Sequence, residues 1–88
     1  MKYYHHRIKD DDGQPFVKGG LTFAYEIEEG RCFYTFARCS RKDNFCKRIG
    51  RKIAEGRFDK RLAEGTVPSF FVVGHDIIEQ ILGHYANS

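Results

Sequence analysis

The residues suited to nucleophilic or metal chemistry are three cysteines at a regular C-x6-C-x6-C spacing, Cys32, Cys39 and Cys46, and four histidines, His5, His6, His75 and His84. A catalytic thiol needs a base to activate it and a third group to orient that base. Cys39 or Cys46 with His75 or His84 and Asp76 are the combinations available, yet their spacing matches no nucleophile elbow or cysteine-enzyme signature. Cys46 is expected on the packing face of a helix, where a free thiol behaves as a small hydrophobe. Structural zinc sites pair their ligands a few residues apart on a tight knuckle, whereas these cysteines fall on two strand ends and a helix. His5 and His6 are neighbours on an expected strand and point to opposite faces, so they cannot share a metal. Asp10, Asp11 and Asp12 suggest calcium, but a calcium loop needs glycine at its sixth position, where Pro15 stands. The expectation is a non-enzymatic protein with no catalytic residue, no cofactor, no structural metal and no disulfide.

Cations carry the strongest signal. Between Arg38 and Arg61 there are ten Lys and Arg against three acids, a net charge of +7, and the rest of the chain has five against nine, a net −4. Such two-sidedness favours anionic partners. Ser40 to Arg57, SRKDNFCKRIGRKIAEGR, reads as a basic amphipathic helix. Ser40 and Asp43 form a capping box and Gly56 suits the left-handed stop. At about 100° per residue Phe45, Cys46, Ile49 and Ile53 share one arc, opposite Arg41, Lys47, Arg48, Arg51 and Lys52. Arg41 and Lys42 would sit in the first turn, where the helix dipole disfavours cations by about 0.3–1 kcal/mol each. A helix start with a hydroxyl, free N–H groups and two cations suits a phosphate or carboxylate. The candidate anion- and nucleic-acid-binding residues are therefore Ser40, Arg41, Lys42, Lys47, Arg48, Arg51, Lys52 and Arg57. A solvated basic face is the competing reading, since long cationic side chains commonly lie over a sheet edge. No Gly-rich phosphate loop precedes a helix.

The positioning elements follow from periodicity. Lys2 to Ile8 reads as a strand, and Asp10 to Gly20 as a loop anchored by Phe16 and Val17. Leu21 to Cys39 alternates strongly, with a turn at Glu29-Gly30. Setting Glu28 against Arg31 pairs Ile27 with Cys32, Tyr25 with Tyr34 and Phe23 with Phe36, which makes one face apolar and aromatic and leaves the Thr22 and Ala24 face wetter. Phe58 to Ala63 suggests a short helical turn ending at Gly65. Ser69 to Val73 is a continuous apolar run expected centrally in the sheet. Asp76 and Glu79 cap a closing helix whose stripe is Ile77, Ile78, Ile81, Leu82 and Tyr85. Gly50 implies a close packing approach, since glycine costs about 1 kcal/mol relative to alanine inside a helix. The expected fold is α+β: two layers, with a mainly antiparallel sheet of about four strands and two helices packed on one face, in the order βββαβα.

All 88 residues make one domain with a modest core, since a chain of this size buries only about 60–65% of its unfolded surface. Eight Phe and five Tyr must supply much of that burial. No apolar run approaches a membrane span, the N-terminus has no signal-peptide core, and the odd cysteine count suits a reducing compartment, so a cytoplasmic site is expected.

The segment FARCSRKDNFCKRIGRKIAEGR, preceded by Gly19-Gly20-Leu21-Thr22, resembles a pattern in small uncharacterised accessory proteins of tailed bacteriophages. In that pattern a strand ends in Cys-Ser, a Lys-Asp-x-Phe step opens a helix, and Gly-Arg recurs. Cys39, Ser40, Lys42, Asp43, Phe45, Lys47, Gly50, Arg51, Ala54, Gly56 and Arg57 carry it. The resemblance implies a phage-encoded protein of the bacterial host cytoplasm, of the size used for host takeover or counter-defence. Two partner classes then compete: nucleic acid or a nucleotide, slightly ahead, and an acidic host protein that the chain docks on and modulates. Neither involves a membrane, and the sequence leaves the oligomeric state open.

Overall fold

The computed structural model describes residues 1–7, 9, 11–14 and 18–87. Ile8, Asp10, Pro15 and the expected loop anchors Phe16 and Val17 lie outside the described residues. The chain runs β1 (Lys2–His6), β2 (Lys18–Glu28), β3 (Arg31–Asn44), α1 (Lys47–Glu64), β4 (Ser69–Phe71) and α2 (Ile77–Ala86), which is the expected α+β order. The four strands form one antiparallel sheet, ordered β1-β2-β3-β4. Phe23 pairs with Phe36, Tyr25 with Tyr34, Ile27 with Cys32 and Glu28 with Arg31, because a one-residue slip would turn every aromatic to the other face. Glu29 and Gly30 both take positive φ, 50° and 78°, the mirror-image turn whose twist matches the flanking strands.

The pleat sorts the two faces, and here the structure departs from expectation: each face receives one helix. α2 covers the aromatic face. Ile81 is fully buried against it, and the Tyr85 ring meets Phe23 and Phe36 edge-on at 5.5 and 4.8 Å. The Asp76 carboxylate accepts the Glu79 N–H at 2.9 Å, so this helix starts where its capping residues predict.

α1 takes the opposite face, made of Thr22, Ala24, Thr35 and Ala37, all buried and not wet as expected. These side chains are small, so a helix must come close to fill the space, and only small residues on its near side permit that approach. Gly50 and Ala54, one turn apart, fill this role, with Phe58 following. A Cβ at Gly50 would overlap Thr22 Oγ1 and lie 2.9 Å from Thr22 Cβ, so the expected close approach is real. The Thr35 hydroxyl, otherwise an unpaired buried group, donates to the Ala54 carbonyl at 2.7 Å. The expected stripe is accordingly displaced: Ile49 and Ile53 are 58% and 44% exposed, and Cys46 is exposed too.

The helix bounds also differ. α1 starts at Lys47 with Cys46 as an N-cap that makes no side-chain bond, and it continues through the expected turn at Phe58 to a left-handed Gly65. Ser40 to Asn44 belong to β3, and Gly56 is an interior residue of the helix. β4 is a three-residue edge strand, where a central strand was expected; Phe71 is 70% exposed, and Val72 and Val73 lie beyond it. Among the described residues no helix is long and apolar enough to cross a membrane.

Candidate functional site

The cations are arranged by an irregularity in β3. Gly20 pairs with Cys39, but the next pair is Lys18 with Asn44, so two steps on β2 are matched by five on β3. Ser40 to Asp43 must therefore bulge out of the ladder as a ridge, carrying Arg41 and Lys42. The ridge is held from within. The Lys42 N–H donates to Ser40 Oγ at 3.2 Å, and the Cys39 thiol points at the carbonyls of Asp43 and Asn44, 3.4 and 3.6 Å away. Ser40 thus tightens a turn inside a strand, not the start of a helix. The unfavourable end of the helix dipole falls on Lys47 and Arg48 and not on Arg41 and Lys42, since the former pair occupies the first turn of α1, which holds no acid.

Phe45 fixes how the chain turns from ridge to helix. Its ring packs against Gly20, where φ is +134° and an added Cβ would come within 2.7 Å of the ring. His5 meets the ring edge-on at 5.8 Å, and the Arg7 guanidinium lies 5.1 Å from its centre. His5 Nδ1 and Thr22 Oγ1 are 2.9 Å apart. Burial lowers the His5 pKa, and the charges of Lys47 and then Arg51 lower it further, so these two helix cations reach the same place. On the same flank the Tyr3 hydroxyl donates to Glu55 at 2.8 Å, and that bond, then burial, raises its pKa.

Two grooves flank the ridge. One, of about 450 Å³, lies between the ridge and α1: Ala37 and Thr22 line its floor, Ile49, Gly50 and Ile53 its helix wall, and Asp43 and Asn44 its ridge wall. The other is open, about 770 Å³, and brings Arg38, Arg41 and Lys42 together near His6 and Tyr85. Arg38, Cys39 and Ser40 line both. Cys46 lines the narrower groove. Among the described residues no three His, Cys, Asp or Glu side chains are grouped to hold a metal.

Of the candidate residues, Ser40, Arg41 and Lys42 form the ridge, while Lys47, Arg48, Arg51 and Lys52 lie on the first two turns of the adjoining helix. Arg57 is not brought to them. Its guanidinium donates to the Phe36 carbonyl at 2.8 Å and lines a separate hollow with Arg61 and Pro68. Sequence reasoning missed Arg38, Phe45, Ile49 and Ile53 as site residues. The overlooked signal was Gly50-x3-Ala54-x3-Phe58, a second stripe that competes with Ile49 and Ile53 for the core. Compared with known proteins, the chain matches no family model, no curated protein and no solved structure.

Proposed function

We propose that the chain is a non-enzymatic binding protein that holds nucleic acid through phosphate contacts along the β3 ridge and the start of α1. One observation carries the reading. Arg38, Arg41 and Lys42 share one groove at the ridge, Lys47, Arg48, Arg51 and Lys52 lie on the first two turns of the helix that follows it, and among the described residues none of them forms an ion pair. Cations that make no ion pair keep their charge available for an external anion, and phosphates gain further because binding releases condensed counterions. The resemblance to phage accessory proteins supports a setting in a bacterial host cytoplasm. An acidic host protein is the competing partner and uses the same charge.

Salt dependence separates contact from coincidence. Four phosphate contacts predict a slope of log K against log salt of about −2.8 on a single strand or −3.6 on a duplex. Replacing both Arg48 and Arg51 by Gln should reduce the magnitude of that slope by about 1.4 to 2 while leaving the fold intact, since both side chains are exposed. Fluorescence anisotropy across a salt series measures it. Binding indifferent to salt, or unchanged in the double variant, overturns the proposal. Capture of a bacterial protein that persists after nuclease treatment, with no oligonucleotide binding, assigns the face to the acidic protein partner instead.

A further inference from the structure

We infer that the narrower groove takes one unpaired nucleobase, so that the nucleic acid this protein prefers is single-stranded; this rests on the phosphate-binding reading above. The groove's about 450 Å³ lies toward the small end of ligand sites, enough for one base and its sugar but not for the end of a duplex. Its lining has two parts. Ile49 and Ile53 offer apolar surface above the buried Ala37, and both isoleucines stay exposed because Gly50 and Ala54 have taken the core-facing side of α1. Asp43, Asn44 and Ser40 place a carboxylate, an amide and a hydroxyl on the facing wall. An aliphatic chain would leave those polar groups unused. A nucleobase has an apolar face and a hydrogen-bonding edge, and pockets that receive extruded bases combine apolar side chains with such donors and acceptors.

Charge complementarity identifies what carries the base. Arg38 lines this groove and the open one beyond the ridge, where Arg41 and Lys42 join it. A base in the narrow groove thus leaves its phosphates at the ridge cations, on the side where the backbone must run. In a duplex the base faces are stacked and cannot enter, whereas in a single strand they are available.

A fluorescein-labelled oligothymidylate and a blunt duplex of equal length, titrated at matched low salt, test the inference. The strand should bind about tenfold tighter than the duplex, the scale of one lost or gained base contact. The double variant Ile49→Ser with Ile53→Ser should lose about that factor on the strand, with its duplex affinity and salt slope unchanged. In the unaltered protein the methyl resonances of Ile49 and Ile53 should shift on adding the strand and not on adding the duplex, a readout that holds even if the variant folds poorly. Equal or tighter duplex binding, or isoleucine methyls silent to the strand, overturns the inference and leaves phosphate binding standing. Binding to neither oligonucleotide overturns both. Shifts of the same methyls by an acidic peptide but not by the strand assign the groove to a protein segment and overturn it as well.

Discussion

His5 is the titratable group that most directly reports on the candidate site. Its pKa lies below the ordinary 6.5, first because it is partly buried and then because Lys47 and Arg51 oppose a further positive charge. The unfolded chain lacks both effects, so as pH falls it takes up the proton before the folded one. Stability is then fully present above about pH 7 and declines as pH drops through 6.5 toward the folded value. His5→Gln should flatten the fall in melting temperature between about pH 7 and pH 5, measured by circular dichroism. The thiols divide by burial in the same way. Cys32 is enclosed, and burial pushes its pKa up to about 11, whereas Cys46 is exposed. Iodoacetamide under native conditions should alkylate Cys46 and spare Cys32, as mass spectrometry of digested protein would show, because the thiolate is the reacting species.

Helix α1 is shaped by what lies beneath it. Two of its glycines make opposite predictions. Gly56→Ala meets nothing within 4 Å and removes the entropic cost of glycine in a helix, so it should stabilise by about 0.5–1 kcal/mol. Gly50→Ala gains the same propensity but drives a methyl into Thr22, a buried β-branched side chain that adjoins His5, and should destabilise by about 1–3 kcal/mol net. Urea denaturation of the two variants checks both signs. If Gly50→Ala were stabilising, the close packing of α1 on the sheet would be wrong. The same closeness turns Ile49 and Ile53 outward, so the helix that anchors the basic band also builds one wall of the apolar groove.

The molecule is a sheet with unlike faces, each covered by its own helix. The aromatic face holds Phe23, Cys32, Tyr34 and Phe70 against Ile81, while the small-residue face holds Ala24 and Ala37 against Ala54. Most of the apolar burial is therefore on the α2 side, although α2 is the shorter helix. Ile81→Ala should cost about 2–5 kcal/mol, a large part of what a domain of this size possesses. Lys47, Arg48, Arg51 and Lys52 lie on α1 against the other face, so this variant should keep their contribution to oligonucleotide binding at temperatures where it remains folded, whereas Arg38, Arg41 and Lys42 share a groove with Tyr85 of α2. All three cysteines are free, and the folded core needs none of them paired. Chelator and reductant should each leave the melting temperature unchanged; a loss of many degrees with either would mean that the thiols do more than pack.

The β2–β3 hairpin, its register and the start of α2 were legible in the residues because each depends on local rules. Alternation of period two allows one register with all aromatics together, and an aspartate three residues before a glutamate marks a helix start wherever the helix goes. The cationic character of residues 38 to 61 was legible for the same reason, since charge needs no fold to be counted. Three features depended on contacts between distant residues. Ser40 and Asp43 satisfy the local pattern of a capping box, but pairing of Asn44 with Lys18 keeps the strand going and turns that stretch into a ridge. α1 has two stripes that could face a core, and the small side chains of Thr22, Ala24, Thr35 and Ala37 select the one with Gly50 and Ala54. That choice depends on shape, which hydrophobicity alone does not encode. The run Ser69 to Val73 is apolar enough for a central strand, yet β3 already has β2 on its other side, so only an edge position is open to it. The candidate cations could thus be named from charge, while the ridge and the groove that arrange them exist only once the sheet has chosen which helix covers which face.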